Sequence, residues 1–253
     1  MADEGKEATF SMGEDTPLAF ISQKPRVLYD YFKQRFAQVT NPPIDPLREG
    51  LVMSLDSVIG KKGNILQPKA EEARQIKLDS PVLNESNLEE IRSKQEFNTQ
   101  EISLLFGLNE DLSKQIKKIC DDSVEAVKNG SEIIIISDKG ITDQQIYIPP
   151  VIATGAIHHR LIDEGLRSKA SIVVETAQCW STHHFAVLIG YGASAICPYL
   201  TFETIRQNQD KQKKGSELTM VQRQMNYKKS IEAGILKILS KIGISCLSSY
   251  QGA

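Results

Sequence analysis

The sequence predicts an α/β fold with an open or half-barrel, mostly parallel sheet made of βαβ units. Strand-like segments alternate with helical segments from residue 110 onward, and parallel strands need such helical crossovers. The apolar runs 133–136 and 172–174 are continuous, which is typical of strands buried on both faces. Four predicted strands are too few to close an eight-stranded barrel, so we expect a TIM-barrel-like sheet that stays open.

The N-terminal segment is rich in proline. Pro25 and the apolar residues at helical spacing that follow it, as far as Phe36, predict an amphipathic helix. Three prolines between Thr40 and Pro46 fix φ and remove backbone donors, so the helix must end before them. We interpret residues 40–46 as a rigid strap laid over the core, with a surface linker as the alternative.

Residues 60–100 carry turn signals and one short helix. The pattern Ser86-x-x-Glu89 is a capping box that opens a helix through Leu88 and Ile91. We find no chemistry in this stretch.

From residue 110 onward, helices and strands follow one another along the chain. Asn129-Gly130 predicts a left-handed helix cap directly before a strand. The predicted helices cover 112–127, 150–166, 182–190, a segment after Pro198, and 217–239, and the predicted strands cover 132–137, 171–175, 194–197 and 244–247.

Length and charge limit the functional classes. The 253 residues fit one large domain or two small ones. The formal net charge of −2 gives no reason to expect a nucleic-acid partner. No apolar run approaches the ~18 residues that would span a bilayer, and residues 1–7 resemble neither a signal peptide nor a transit peptide.

Cysteine and histidine spacing predicts no metal site. The four cysteines contain no Cys-x-x-Cys pair, so we expect reduced thiols that are mostly buried. The pairs His158-His159 and His183-His184 are adjacent in sequence, and adjacent helical residues point about 100° apart. We therefore expect packed or hydrogen-bonded histidines.

Two further motifs suggest ligand sites but have simpler interpretations. Residues 190–193, Gly-Tyr-Gly-Ala, end a helix and precede a strand, the reverse of a dinucleotide fingerprint, so they predict a helix C-cap. Residues 211–214 hold three lysines in a polar run, which predicts a solvated loop. No triad order, nucleophile elbow, Walker loop or paired-acid motif is present, so we assign no catalytic residue.

Distinctive segments occur along the chain: LYDYFKQ at 28–34, FAQVTNPPIDP at 36–46, IISD at 135–138, ATGAIHH at 153–159, HHFA at 183–186, LIGYGA at 188–193 and PYL at 198–200. Together they resemble the central domain of glutamate synthase large chains. Two more, VETAQC at 174–179 and ICP at 196–198, are more similar to the ferredoxin-dependent branch than to the pyridine-nucleotide-dependent branch.

The resemblance implies a segment of a much larger enzyme. That enzyme converts L-glutamine and 2-oxoglutarate to two L-glutamate with electrons from reduced ferredoxin, FMN and a 3Fe-4S cluster. The central domain is implied to bind no cofactor by itself, to connect the glutaminase and FMN sites and to line the ammonia route. Its implied partners are ferredoxin and the remaining domains of the same polypeptide.

The resemblance also divides the chain. Residues 1–235 resemble the central domain, and residues 236–253 resemble the start of the FMN-binding barrel. Within that start, Ser240, Lys241 and Gly243 match positions that are implied to touch FMN. A plastid stroma is the implied location, with a bacterial cytoplasm as the alternative.

Two other interpretations stay open at this point. One is a segment of an NAD(P)H-dependent glutamate synthase, and the other is a non-catalytic α/β scaffold. As a glutamate synthase segment, the chain by itself is expected neither to hydrolyse glutamine nor to form glutamate, because the thiol nucleophile, the flavin site and the cluster ligands are not all present in it.

Overall fold

A parallel four-stranded sheet lies at the centre of the protein, as the sequence predicts. The computed structural model describes residues 1–7, 17–33, 52–64, 66–208 and 218–252. The proline-rich strap at 40–46 and the lysine-rich loop at 211–214 lie outside these ranges, so both remain predictions.

The described residues form short strands and longer helices. The strands are β1 (Ser57–Ile59), β2 (Ile76–Leu78), β3 (Thr99–Ser103), β4 (Leu105–Gly107), β5 (Ile133–Ser137), β6 (Gln145–Tyr147), β7 (Ser171–Glu175) and β8 (Ala195–Cys197). The α-helices are α1 (Glu85–Ser93), α2 (Leu112–Lys128), α3 (Pro150–Asp163), α4 (Thr182–Gly190), α5 (Tyr199–Gln207) and α6 (Met220–Ile242).

The main sheet is singly wound. Its strand order is β3-β5-β7-β8 and every neighbouring pair is parallel, so each new strand is added on the same side. Helices α2, α3 and α4 make the three crossovers between these strands. This is the order in which strands follow one another in part of a (β/α)8 barrel, and it confirms the predicted βαβ architecture.

Both faces of the sheet are buried. Ile134 and Ile136 of β5 belong to a core formed with the crossover helices α2, α3 and α4. Ile133 and Ile135 belong to a second core on the opposite face, together with α1 and the antiparallel β1–β2 pair. This second face corresponds to the interior of a closed barrel, and α1 fills it. The continuous apolar run of β5 is explained by these two cores.

One strand of the sheet was missed and one predicted strand is wrong. β3 has the polar sequence Thr-Gln-Glu-Ile-Ser and, of these residues, only Ile102 is buried, because β3 is an edge strand. Residues 244–247 form no strand: Cys246 makes one isolated bridge to Ser54, and a 3₁₀ turn begins at Leu247.

The N-terminal helix prediction is also wrong within the described residues. A short 3₁₀ turn, Leu28–Tyr31, replaces the α-helix expected after Pro25, and another 3₁₀ turn, Ala19–Ile21, precedes Pro25. Phe32 is already extended, with φ −96° and ψ 123°, so the turn ends there. The rest of the predicted helix, residues 34–36, lies outside the described ranges.

Helix α1 is present, but its cap differs from the prediction. The Asn84 side chain accepts a hydrogen bond from the Asn87 backbone N–H at 2.8 Å, and the Asn87 side chain accepts one from the Asn84 N–H at 3.3 Å. This reciprocal pair forms the capping box that we assigned to Ser86 and Glu89.

The last described helix crosses the predicted domain boundary at residue 235. Helix α6 is continuous from Met220 to Ile242, and Leu239 and Leu247 are buried in the same core as the crossover helices. Among the described residues, no helix has the length and apolar character needed to cross a bilayer.

Candidate functional site

Polar side chains gather at the carboxyl end of the parallel sheet. Ser137 is the last residue of β5 and Asp138 follows it, whereas Glu175 ends β7 and Thr176 follows it. Because β5 and β7 are parallel, with Ser137 paired to Glu175, these residues lie side by side. All four are buried, and we call them, with Arg92 of α1, the carboxyl-end cluster.

Glu175 is the centre of a buried ion pair. Its Oε2 accepts hydrogen bonds from the Ser137 hydroxyl at 2.6 Å and from a guanidinium nitrogen of Arg92 at 2.8 Å. Lys139 Nζ lies 3.5 Å from the other oxygen, Oε1. Burial by itself would raise the pKa of this carboxyl, but Ser137, Arg92 and Lys139 outweigh burial and lower it. Glu175 is therefore held as an anion.

Asp138 ties β5 to the loop after β7. Its Oδ2 accepts a hydrogen bond from the Thr176 hydroxyl at 2.5 Å, and its Oδ1 accepts one from the Ala177 N–H at 2.9 Å. Burial raises the pKa of Asp138, although the hydrogen bonds from Thr176, Ala177 and Tyr199 oppose the shift. The carboxyl therefore closes the turn that leads into α4.

An aromatic layer lies at the start of α4, next to this loop. The Tyr29 ring stacks on the His184 ring with 4.3 Å between centroids, and Trp180 meets the same ring edge-on at 4.4 Å. His183 Nε2 lies 2.8 Å from the Tyr29 carbonyl oxygen. Burial lowers the pKa of His184 to about 4, so its imidazole is neutral at neutral pH. These contacts fix the N-terminal segment to α4.

Two buried thiols lie close to the cluster. Burial raises the pKa of Cys179 well above its ordinary value and raises the pKa of Cys197 to about 12. Since the thiolate is the reactive form, neither sulfur is a nucleophile at neutral pH. With Glu175 and Asp138 both engaged by neighbouring groups, the cluster is built to hold loops in place.

The histidine pairs are packed and hydrogen-bonded, as predicted. His158 Nδ1 accepts a hydrogen bond from Arg167 Nε–H at 2.8 Å, and the His158 and His159 rings lie nearly perpendicular, at 89°. Burial, and then the Arg167 charge, lower the pKa of His158 to about 4. Within the ranges that the structure describes, no group of three or more His, Cys, Asp or Glu is placed to hold a metal ion.

The glycine motif at 190–193 is a helix C-cap, as predicted. Helix α4 ends at Gly190, and the Ala193 N–H donates to the Leu188 carbonyl at 3.0 Å. Gly192 has φ +112°, a conformation that favours glycine.

Ser240, Lys241 and Gly243 lie at the C-terminus of α6, with Gly243 as its left-handed cap at φ +78°. The chain after them returns to the amino end of the sheet, where the Gln251 side chain donates to the Ala193 carbonyl at 3.1 Å. The carboxyl-end cluster is at the opposite end.

These three residues do not form a flavin phosphate site by themselves. A helix C-terminus carries partial negative charge, whereas phosphate favours a helix N-terminus. A pocket of about 100 Å³ at this end is lined by Leu247, Ser248 and Gln251 but by none of the three. Ligand pockets usually measure roughly 300–1,000 Å³. Contact with FMN stays a prediction.

Sequence reasoning missed the carboxyl-end cluster. A usable signal was present, because Ser137-Asp138 and Glu175-Thr176 directly follow buried apolar runs and the carboxyl ends of parallel strands share one edge. Arg92 gave no such signal, because its contact with Glu175 joins residues 83 positions apart.

Comparisons with known proteins identify the family of this chain. The model of the glutamate synthase central domain family matches residues 1–253. Ferredoxin-dependent glutamate synthase 2 of Synechocystis sp. is 54% identical over 267 residues, covering 100% of this chain and 17% of that protein. The chloroplastic ferredoxin-dependent glutamate synthase of Oryza sativa subsp. japonica is also 54% identical, covering 100% of this chain and 16% of that protein.

Solved structures offer only a distant likeness. The recombinant flavin-binding domain of baker's yeast flavocytochrome b2 is 14% identical, with a TM-score of 0.42, and covers 70% of this chain and 39% of that domain.

The singly wound sheet and its engaged carboxyl-end cluster define an α/β half-barrel domain. The chain belongs to the glutamate synthase central domain family. It spans about one sixth of the length of the curated relatives described above.

Proposed function

We propose that this chain is the central segment of a ferredoxin-dependent glutamate synthase. The complete enzyme would convert L-glutamine, 2-oxoglutarate, two protons and two reduced ferredoxins to two L-glutamate and two oxidised ferredoxins. The observation that carries the proposal is 54% identity across the whole chain to the Synechocystis enzyme. The relatives from rice and Synechocystis both carry ferredoxin in their names, which favours ferredoxin over NAD(P)H as the electron donor.

The segment would work as a rigid connector and wall. The sheet is buried on both faces, and hydrogen bonds fix Glu175 and Asp138 at its carboxyl end. A rigid unit of this kind would hold flanking parts of the polypeptide at a fixed separation. Such a wall would keep ammonia from escaping on its way from the glutaminase site to the FMN site. Excluding water from the route would also keep ammonia unprotonated and nucleophilic.

Cofactors belong to the complete enzyme in this proposal. FMN would supply the electrons that reduce the imine formed from ammonia and 2-oxoglutarate, and a 3Fe-4S cluster would relay them from ferredoxin. The wide spacing of the four cysteines, with no Cys-x-x-Cys pair, favours a location of the cluster elsewhere in the polypeptide.

The domain boundary and the flavin contacts are a further part of the proposal. Residues 1–235 would form the central domain and residues 236–253 the start of the FMN barrel. Ser240, Lys241 and Gly243 would meet FMN only when the rest of the barrel supplies the phosphate site.

We propose a plastid stroma as the location, with a bacterial cytoplasm as the alternative. Chloroplastic and cyanobacterial relatives are equally similar to this chain, so the sequence supports both compartments.

A segment exchange tests the function. This chain would replace the matching segment of the Synechocystis enzyme, and glutamate formation would be measured with glutamine, 2-oxoglutarate and either reduced ferredoxin or NADPH. We expect ferredoxin-dependent synthesis, with one 2-oxoglutarate converted for each glutamine hydrolysed.

Flavin content and gel filtration check that the exchanged enzyme is folded. A folded enzyme that hydrolyses glutamine and forms no glutamate contradicts the proposed function. In the complete polypeptide that contains this chain, synthesis supported equally by NADPH contradicts the choice of ferredoxin.

A further inference from the structure

Five large apolar side chains near the start of α4 face solvent. They are Leu18, Phe20, Ile21, Tyr31 and Trp180, with exposed fractions of 42%, 72%, 61%, 53% and 43%. We call them the aromatic patch. Single exposed apolar residues are common on proteins, but a cluster of this kind marks an interaction surface.

The backbone that carries the exposed patch residues is fixed by buried neighbouring residues. Ala19 and Tyr29 lie between them in the chain and are buried, at 6% and 2% exposed. Backbone hydrogen bonds from Ile21 to Leu18 and from Phe32 to Tyr29 close the two 3₁₀ turns. The exposed rings are therefore presented on an anchored backbone.

The Tyr29–His184–Trp180 layer joins the two parts of the patch. Trp180 belongs to the loop before α4 and Tyr29 to the second 3₁₀ turn, and both rings pack on His184. The backbone N–H of Trp180 also donates a hydrogen bond to His184 Nδ1 at 3.3 Å. The second 3₁₀ turn and the loop of Trp180 therefore both pack on the start of α4, and the first 3₁₀ turn packs on the second.

Basic residues border the patch. Residues 18–33 contain Lys24, Arg26 and Lys33 but only one acid, Asp30, whose carboxylate lies 3.9 Å from the Arg26 guanidinium. Aromatic residues and arginine are enriched in protein interfaces. Glu7 adds an acid at the start of α4, where it accepts a hydrogen bond from the Thr182 hydroxyl at 2.7 Å, so the complementary surface is chiefly apolar.

We propose that the aromatic patch is the surface on which the remainder of the longer polypeptide docks. The proposal rests on the proposed function, in which this chain is one segment of a larger enzyme. The relatives support this occupant, because the matching segment is only 16–17% of their length and most of the polypeptide lies outside it. A second copy of the chain is the competing occupant, and the experiment separates the two.

Hydrogen exchange on the unmodified proteins is the primary test. Amide exchange of residues 18–31 would be compared between the 253-residue chain alone and the complete polypeptide that contains it. Docking should slow exchange in this segment by about tenfold or more, while residues 61–64 at the amino end of the sheet serve as the internal reference. Equal exchange of residues 18–31 in both proteins would overturn the proposal.

Substitutions then test the side chains. Phe20→Ser with Ile21→Ser removes the most exposed part of the patch. Leu66→Ser removes an apolar side chain that is 89% exposed and lies before the 3₁₀ turn Ala70–Ala73. In the complete polypeptide, only the Phe20/Ile21 variant should restore fast exchange of residues 18–31. Phe20→Leu with Ile21→Leu, which keeps the surface apolar, should retain most of the protection.

Two controls separate the remaining explanations. If light scattering shows that the 253-residue chain dimerises, and only the Phe20/Ile21 serine variant abolishes the dimer, the occupant is a second copy and the proposal is wrong. If residues 18–31 are protected in a complete polypeptide that makes no glutamate, docking stands and the proposed function fails. If glutamate forms without protection, docking fails and the function stands.

Discussion

Gly192 shows how one residue holds the turn between α4 and β8. Its φ of +112° is unfavourable for any residue with a Cβ, and a Cβ at this position would overlap His158 Nδ1. Its carbonyl oxygen also accepts a hydrogen bond from Arg167 at 2.9 Å. The turn therefore requires glycine for both conformation and space.

Gly192→Ala should lower the free energy of unfolding by roughly 2 kcal/mol or more, since about 1–2 kcal/mol comes from the backbone conformation and the rest from the displaced imidazole. Urea titration followed by circular dichroism measures the change. Gly140→Ala is the matched control, because Gly140 has φ +86° but no atom lies within 4 Å of an added Cβ. Equal losses in the two variants would show that His158 does not restrict the site.

His184 makes stability depend on pH. Its pKa is lowered to about 4 in the fold, chiefly by burial, from 6.5 when unfolded. The unfolded chain therefore binds a proton first as pH falls, and stability is lost between pH 6.5 and 4. With one pKa unit equal to about 1.4 kcal/mol, the loss at pH 4 reaches about 3 kcal/mol for this residue.

The measurement is the urea midpoint between pH 7.5 and 4 for the wild type and for His184→Gln. We expect a smaller loss of stability on acidification in the variant, although its stability at pH 7.5 will be lower because the ring stacking is gone. His159→Gln, which removes an exposed imidazole, is the control. If the two variants show the same pH dependence, His184 is not the group responsible.

At the residue scale, sequence patterns predicted conformation better than contacts. The glycine motif ending at Ala193 and the packed histidines were predicted, because both depend on neighbours in sequence. The Arg92–Glu175 pair was not predicted, since nothing in the sequence around Arg92 shows which distant carboxylate it meets.

At the scale of elements, the link between α1 and β7 is the strongest test of the carboxyl-end cluster. Arg92→Ala would leave Glu175, which is 1% exposed, without its guanidinium partner. Losing one partner of a buried pair costs about 3–5 kcal/mol, so we expect a large fall in the free energy of unfolding. Because pairing lowers the Glu175 pKa, the stability that the pair supplies is present near neutral pH and is lost as pH falls through the lowered pKa.

Arg160→Ala provides the comparison, because Arg160 pairs with Asp121 on the exposed side of α2 and α3. We expect a change within about 1 kcal/mol for this exposed pair. Thermal and urea unfolding at pH 7.5 and 4 would be measured for both variants. A similar small effect of Arg92→Ala would show that the Glu175 charge is satisfied by Ser137 and Lys139 without Arg92.

Elements with strong periodicity were predicted well and polar ones were not. Helix α2 and strand β5 follow directly from their apolar patterns, as residues 112–127 and 132–137 indicated. β3 has only one buried residue, so its pairing with β5 left no apolar pattern to detect. The 3₁₀ turns near Tyr29 depend on docking against α4, which local spacing does not encode.

For the whole molecule, the open sheet is unfavourable for binding a flavin in this chain alone. One face of the sheet is packed by α2, α3 and α4, and the other face is packed by α1. Side chains therefore fill the face of the sheet that would line the interior of a closed barrel. Ser240, Lys241 and Gly243 lie at a helix C-terminus, which is unfavourable for a phosphate. A flavin site would need further strands and loops.

We therefore expect the 253-residue chain to fold without binding FMN and without forming glutamate. A ligand at 100 times its Kd stabilises the native state by about 2.7 kcal/mol, which corresponds to roughly 5–10 °C in a protein of this size. Thermal unfolding with and without 100 μM FMN should differ by less than about 1 °C, and the purified chain should show no flavin absorbance. Incubation with glutamine, 2-oxoglutarate and reduced ferredoxin should yield no glutamate. A shift of several degrees would show that the half-barrel already holds a flavin site without the rest of the barrel.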